Sequence, residues 1–167
     1  MAARSLILLV AVAASLVALG WRPAHADEVD FVRVFKAERR LELLAKGQIV
    51  RSYAIALGGN PIGHKQFEGD QRTPEGRYTL DWRNDKSCCV KSIHISYPNP
   101  ADKAAAAKAG LSPGGMIMIH GPPNKFAWWD WVLQMFDWTD GCIAVSEEQM
   151  LEIWSMVQTG TPIEIAP

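Results

Sequence analysis

His120 closes the apolar run Ile117-Met-Ile119 and is followed by Gly121, and 22 residues later Cys142 follows Gly141 and opens a second apolar run, Ile143 to Val145. A thiol becomes a strong nucleophile when a neighbouring base takes its proton, and an imidazole at a strand end can reach a thiol across a sheet. A glycine just before the thiol lets a substrate approach closely. The other two cysteines, Cys88 and Cys89, are adjacent, and adjacent pairs rarely bridge one another because the geometry is strained. On spacing alone, a buried Cys behaving as a small hydrophobe and a His satisfying a turn compete evenly with a catalytic pair. No CxxC or HExxH spacing occurs, so neither a metal nor another cofactor is expected.

The elements that would position this pair read as mainly β with a few helices, in a single domain. Val29 to Phe35, Arg40 to Leu44 and Ile49 to Leu57 are strand candidates in an antiparallel meander, with a turn at Lys46-Gly47. The stretch from Gly58 to Gly76 is too rich in Gly, Pro and charge for a regular element, and long enough to be a functional loop. Its His64, Lys65 and Arg72 can grip substrate carboxylates, against the plainer reading of a solvated charged loop. Arg77 to Trp82, Ser92 to Tyr97, Met116 to Ile119 and Thr161 to Ile165 are further strands. In the Ser92 to Tyr97 strand, His94 projects opposite the apolar face. Helices are expected over Ala101 to Ala109, stopped by Gly110, and from a capping box at Ser146 and Gln149 to about Gln158. Phe126 to Trp138 holds Trp128, Trp129, Trp131 and Trp138. As a helix it is apolar on nearly every side, so Trp128 and Trp131 are read as a lid over the site, against a plain core helix.

The N-terminus carries a different signal. Arg4 precedes a largely apolar run of 14 residues from Leu6 to Leu19, and Ala24-His25-Ala26 fits a signal-peptidase site. That run is short of the roughly 20 residues that span a bilayer, so residues 1–26 are read as a cleaved signal peptide and no membrane span is expected afterwards. The whole chain has 167 residues, 17 Lys and Arg against 18 Asp and Glu, and is 49% hydrophobic. Arg4 and Arg22 leave with the leader, so residues 27–167 carry 15 basic and 18 acidic residues. Such a balance excludes a phosphate-tracking nucleic-acid binder. All remaining Lys and Arg lie between Arg33 and Lys125, so residues 27–125 carry a net charge of +4, and beyond Lys125 seven acids stand without a base.

Several ordered blocks then carry a resemblance. His120-Gly121, a spacer and Thr139-Asp140-Gly141-Cys142 resemble the signature of the L,D-transpeptidase catalytic domain (YkuD) family. Gly69-Asp70-x-x-Thr73-Pro74-Glu75-Gly76, Ile95-Ser96-Tyr97-Pro98-Asn99 and Pro113-Gly114-Gly115 resemble its other blocks. The resemblance implies a barrel-like or sandwich-like L,D-transpeptidase fold over residues 27–167. It also implies a periplasmic or cell-envelope enzyme acting on peptidoglycan stem peptides through an acyl-enzyme. By position, Cys142 would be the nucleophile, His120 the base, the Gly121 carbonyl the orienter of the imidazole, and amides near Gly141 and Cys142 the oxyanion donors. Thr139, Asp140, His94, Tyr97, Arg72, Trp128 and Trp131 would contact substrate, and the basic part of the chain would hold its carboxylates.

Two departures bear on the reaction. Asp140 stands where the family usually has His, and Ala144 where it usually has Arg or Asn. The Asp opposes thiolate formation and makes an imidazolium partner more necessary. Trp138-Thr-Asp-Gly-Cys-Ile-Ala-Val145 resembles the YafK-like branch, whose members include hydrolases that release envelope lipoprotein from peptidoglycan. The expected reaction is transpeptidation that forms cross-links or protein links. The alternatives are hydrolysis with a lipoprotein as partner, or a non-catalytic peptidoglycan-binding module. Sortases use an Arg after the Cys, and no basic residue follows Cys142. Papain-like peptidases place Cys before His, the reverse of the order here.

Overall fold

β-Branched and aromatic runs form strands where their alternation expects them in the computed structural model, which describes residues 28–125 and 129–167. The segment read as a signal peptide and Trp128 lie outside the described residues. The meander is β1 (Phe31–Phe35), β2 (Arg40–Ala45) and β3 (Gln48–Ala54), followed by β4 (Gly76–Asn84) and β5 (Ser92–Ile95). Then come α1 (Pro100–Lys108), β6 (Met118–His120), α2 (Asp130–Leu133), β7 (Ile143–Ala144), α3 (Glu147–Met156) and β8 (Thr161–Ala166). Both longer helices begin on capping boxes, at Asn99 with Asp102 and at Ser146 with Gln149, so their first amides are satisfied.

The strands form one eight-stranded sheet in the order β3-β2-β1-β8-β4-β5-β6-β7. The C-terminal strand is inserted at its centre, parallel to β1 (Val32 beside Ile163) and antiparallel to β4 (Tyr78 beside Ile163). Beyond β3 the chain reaches the opposite edge, where Ala56 bridges Ala144 through paired amide hydrogen bonds of 2.9 and 2.8 Å. The sheet thus curls back on itself, as the barrel-like expectation requires. Its interior is filled by Val32, Leu41, Leu80, Ile93, Ile119, Ile143 and Ile163, with Met150 and Ile153 of α3. Burying each of these contributes about 1.5–3 kcal/mol. Because Ile93 and Ile119 point inward, their neighbours Ser92, His94, Met118 and His120 share the other face.

The Gly58 to Gly76 stretch is tied to the fold at its charged residues, while Gly59, Ile62 and Gln66 to Gly69 stay exposed. Lys36, only 2% exposed, donates to the carbonyls of Gly63 (2.6 Å) and Thr73 (3.0 Å) and to Glu75 Oε1 (2.8 Å). Burial pushes its ammonium below the ordinary lysine range, against the pull of Glu75. Lys65 pairs with Asp70 at 2.7 Å, both side chains buried. Burial works against that carboxylate, yet Lys65 and the amides of Gln66, Arg72 and Phe67 hold it below the usual range. His64 Nδ1 accepts from the Glu75 amide at 2.9 Å and its Nε2 faces Asp102 at 3.2 Å. His64 and Lys65 are therefore engaged within the fold rather than held ready for substrate carboxylates. Lys36→Met keeps the stem and removes the donor, leaving Glu75 and two carbonyls short of a partner. The expected loss is about 3 kcal/mol, read as a lower urea midpoint at unchanged slope. An unchanged midpoint would show that other contacts hold the loop.

Candidate active site

β6 delivers His120 to the end of the sheet, and the following residue fixes its ring. Nδ1 lies 2.6 Å from the Gly121 carbonyl oxygen, so this nitrogen carries the proton and donates it, leaving the Nε2 lone pair as the base. The Gly121 peptide is itself held, its N–H donating to the Cys89 carbonyl at 3.1 Å. The loop bearing Cys88 and Cys89 is tied to the same segment by Asn124. The Asn124 amide donates to the Cys88 carbonyl at 2.8 Å and its Oδ1 accepts from the Val90 amide at 2.8 Å. Trp138 meets the His120 ring edge-on, with centroids 5.6 Å apart.

Cys142 sits on a turn pinned from several sides. Asp137 accepts from Arg39 Nη2 at 2.6 Å and from the Leu57 amide at 2.8 Å, and the Thr139 amide donates to the Leu57 carbonyl at 3.1 Å. The Thr139 hydroxyl donates to the Cys142 carbonyl at 2.8 Å and accepts from the Gly141 amide at 3.2 Å. The Gly141 N–H is thereby occupied inside the turn, which leaves the Cys142 N–H as the better oxyanion donor of the two expected. Gly141 has φ +116°, and a Cβ there would stand 2.4 Å from the Arg72 carbonyl oxygen. On the thiol, the Met118 amide donates to Sγ at 3.4 Å, and Sγ lies 3.6 Å from the Met116 carbonyl.

Cys142, His120, Thr139 and Asp140 line one cavity of about 390 Å³. Burial pushes the Cys142 thiol up; the Met118 N–H works against that rise, and the Asp140 charge adds to it. Burial also lowers His120 below its ordinary 6.5, against the hydrogen bond to Gly121. Both shifts favour the uncharged forms, thiol and imidazole, over the ion pair. An ion pair was the expectation from Asp140 alone, but desolvation penalises both charged forms.

The other expected contacts divide. Tyr97 is 2% exposed, its hydroxyl donating to the Pro113 carbonyl at 3.0 Å, so it is a core residue and not a cavity wall. Arg72 offers its backbone to the nucleophile turn while its guanidinium lies beside Gly63, away from the cavity. His94 is one residue pair from the site, opposite Met118. A register shift at Asp81 sets that carboxylate 2.6 Å from His94 Nδ1, and Trp82 stacks on the ring at 4.8 Å. The described part of the Trp-rich segment, from Trp129 on, is neither a long helix nor core. α2 has no buried residue, and Trp131 is 71% exposed and outside the cavity wall, whereas Trp138 is part of it.

Cys88, Cys89, Asn84 and Met118 also line the cavity and were not expected there. The two sulfurs are 2.9 Å apart, and burial together with Cys88 pushes the Cys89 thiol up to about 12. Only the β4–β5–β6 pairing places their loop beside His120, and no local signal announces that pairing. Among the described residues no group of three His, Cys, Asp or Glu side chains is placed to hold a metal, and no helix is long and apolar enough to cross a membrane.

The family model for the YkuD L,D-transpeptidase catalytic domain matches residues 30–165. The chain is 32% identical over 133 residues to YafK of Escherichia coli K12, an alignment covering 76% of this chain and 46% of YafK. The helical cell shape determining protein Pgp2 of Campylobacter jejuni superposes with a TM-score of 0.65 at 27% identity, over 83% of this chain and 48% of Pgp2. The L,D-transpeptidase of Mycobacterium smegmatis shares the fold alone, with a TM-score of 0.55 at 14% identity over 84% of this chain and 59% of that one. The chain thus spans about half the length of YafK and Pgp2. With the matched domain running from the first strand to the last and enclosing both His120 and Cys142, the chain belongs to the L,D-transpeptidase catalytic domain family.

Proposed function

We propose that this is an exported enzyme that opens an amide following an L-centre in peptidoglycan stem peptides, with Cys142 as nucleophile and His120 as base. The observation that carries the reading is the 2.6 Å hydrogen bond from His120 Nδ1 to the Gly121 carbonyl, which frees Nε2 in the cavity that holds Cys142. As Sγ attacks the carbonyl carbon, its proton passes to Nε2, and the Cys142 N–H faces the developing oxyanion. The imidazolium then gives that proton to the leaving amine, and a thioester remains on Cys142. An amine acceptor completes transpeptidation and water completes hydrolysis, the route by which a linked lipoprotein would be released.

The test is muropeptide analysis after incubating purified protein with sacculi, with and without bound lipoprotein. New cross-links support transfer, and freed lipoprotein or shortened stems support hydrolysis. Unchanged muropeptides, together with no carbapenem adduct on Cys142, would return the chain to a binding module.

A further inference from the structure

The sequence carries three cysteines, and all three line the catalytic cavity. Cys142 is the nucleophile proposed above, and Cys88 and Cys89 have no part in that chemistry. Their sulfurs stand 2.9 Å apart on the turn between β4 and β5. Cys88 is exposed, whereas Cys89 is only partly so. With its pKa pushed up to about 12 by burial and by Cys88, the Cys89 thiol is a poor nucleophile at neutral pH. Cys88 is therefore the thiol of the pair that is free to react. Their turn is also tied to the base. The Cys89 carbonyl accepts from the Gly121 amide at 3.1 Å, and the Gly121 carbonyl orients His120. Val90, the next residue, has φ +65°, a left-handed conformation that a β-branched residue rarely adopts, so the turn is under strain where it follows the thiols.

We infer that Cys88 is a resolving thiol for Cys142: when a hydroperoxide oxidises Cys142, the two close into a disulfide that shuts the site reversibly and spares it irreversible damage. The steps balance. Cys142 Sγ attacks an oxygen of the hydroperoxide, the O–O bond breaks, and the thiol proton passes through His120 to the departing oxygen. The products are a sulfenic acid on Cys142 and water or an alcohol. Cys88 Sγ then attacks the sulfenic sulfur, the S–O bond breaks, and the Cys88 proton leaves with the hydroxide as water. Two electrons have passed from the two thiols to the peroxide. A thiol on the wall of the same cavity acts at an effective concentration of roughly millimolar, far above peroxide at about micromolar levels, so closure precedes a second oxidation to the sulfinate. Because the same turn holds the Gly121 N–H, closure also bears on the peptide that orients His120. An external dithiol reopens the bridge by exchange and restores both thiols. The bridge itself rests on the shared cavity, and its effect on turnover rests on the reading of Cys142 as nucleophile.

The test treats purified protein, reduced and freed of reductant, with a small molar excess of hydrogen peroxide and maps it without reduction. Trypsin cuts after Lys86, Lys91 and Lys125, so Cys88 and Cys89 fall in residues 87–91 and Cys142 in residues 126–167. The wild type is expected to become two hydrogens lighter and to lose two of its three free thiols to alkylation, with the two peptides joined through Cys88 on fragmentation. Cys89→Ser is expected to bridge as the wild type does. Cys88→Ser and Cys88→Ala are both expected to form no bridge and to gain two oxygens on Cys142 as the sulfinate. Dithiothreitol should then return nearly all of the Cys142 alkylation in the wild type and little of it in the Cys88 variants. A Cys88–Cys89 bridge with Cys142 left free, a bridge through Cys89, or sulfinate formed as fast in the wild type as in Cys88→Ser would overturn the assignment. A Cys88–Cys142 bridge in a protein that leaves muropeptides unchanged would keep the resolving thiol and overturn the stem-peptide reading instead.

Discussion

Cys142→Ala and His120→Ala are each expected to lower turnover of stem peptides by about a thousandfold or more. The first removes the atom that carries the acyl group, and no other described side chain occupies its place on the turn. The second leaves a thiol that burial and Asp140 hold protonated, with the proton's acceptor gone. The pH profile separates this scheme from a resting ion pair. His120 acts as base only when neutral, and burial lowers its pKa below 6.5, so kcat/KM should stay high at pH 6.5 and fall at more acidic pH as the ring gains a proton. Because the thiol is pushed above its ordinary 9.0, thiolate formation does not set that acid limb. An imidazolium–thiolate pair would give the opposite pattern, with thiolate absorbance present in the resting enzyme at neutral pH and lost together with activity on acidification. Substantial residual turnover in either folded variant would remove these residues from the chemistry.

The pair was legible because it is written locally: a His after an apolar strand, a Gly before a Cys, a strand after it. The meander and both longer helices were legible for the same reason, since alternation, the Gly110 stop and the capping box at Ser146 act over a few residues. Contacts made by distant chain segments were not. β8 enters between β1 and β4, and nothing in Thr161 to Ala166 specifies a parallel neighbour more than a hundred residues earlier. Lys36 reads as an ordinary charge after a strand, yet it is buried because two carbonyls and Glu75 of a distant loop close over it. Tyr97 and Arg72 lie in blocks that resemble the family. Block membership does not say which way a side chain points, and one entered the core while the other contributes its carbonyl. The Trp-rich segment was read as a lid from its composition; in its described part Asp130–Leu133 forms one short turn on the surface, and Trp138 rather than Trp131 reaches the cavity.

Arg72's carbonyl leads to the second large effect. Gly141→Ala is expected to cost about 3 kcal/mol of stability and to slow turnover about a hundredfold. Two causes combine. At φ +116° a side chain is strained whatever space surrounds it, and here the added methyl would lie 2.4 Å from the Arg72 carbonyl oxygen. That oxygen cannot retreat easily. The Arg72 amide donates to Asp70 at 3.0 Å, and Asp70 is locked in its buried pair with Lys65. On the other side the turn is fixed by Thr139 and Asp137, so the strain falls on the peptide that carries Cys142. Gly47→Ala separates the two causes. Gly47 also has positive φ, at +76°, but a methyl added there would meet no atom within 4 Å. It should show the conformational cost alone, about 1 kcal/mol, with turnover intact. Thermal unfolding and single-turnover acylation of the two variants give the comparison. If Gly141→Ala unfolds with Gly47→Ala and acylates at the wild-type rate, the Arg72 carbonyl is not what sets the position of the nucleophile.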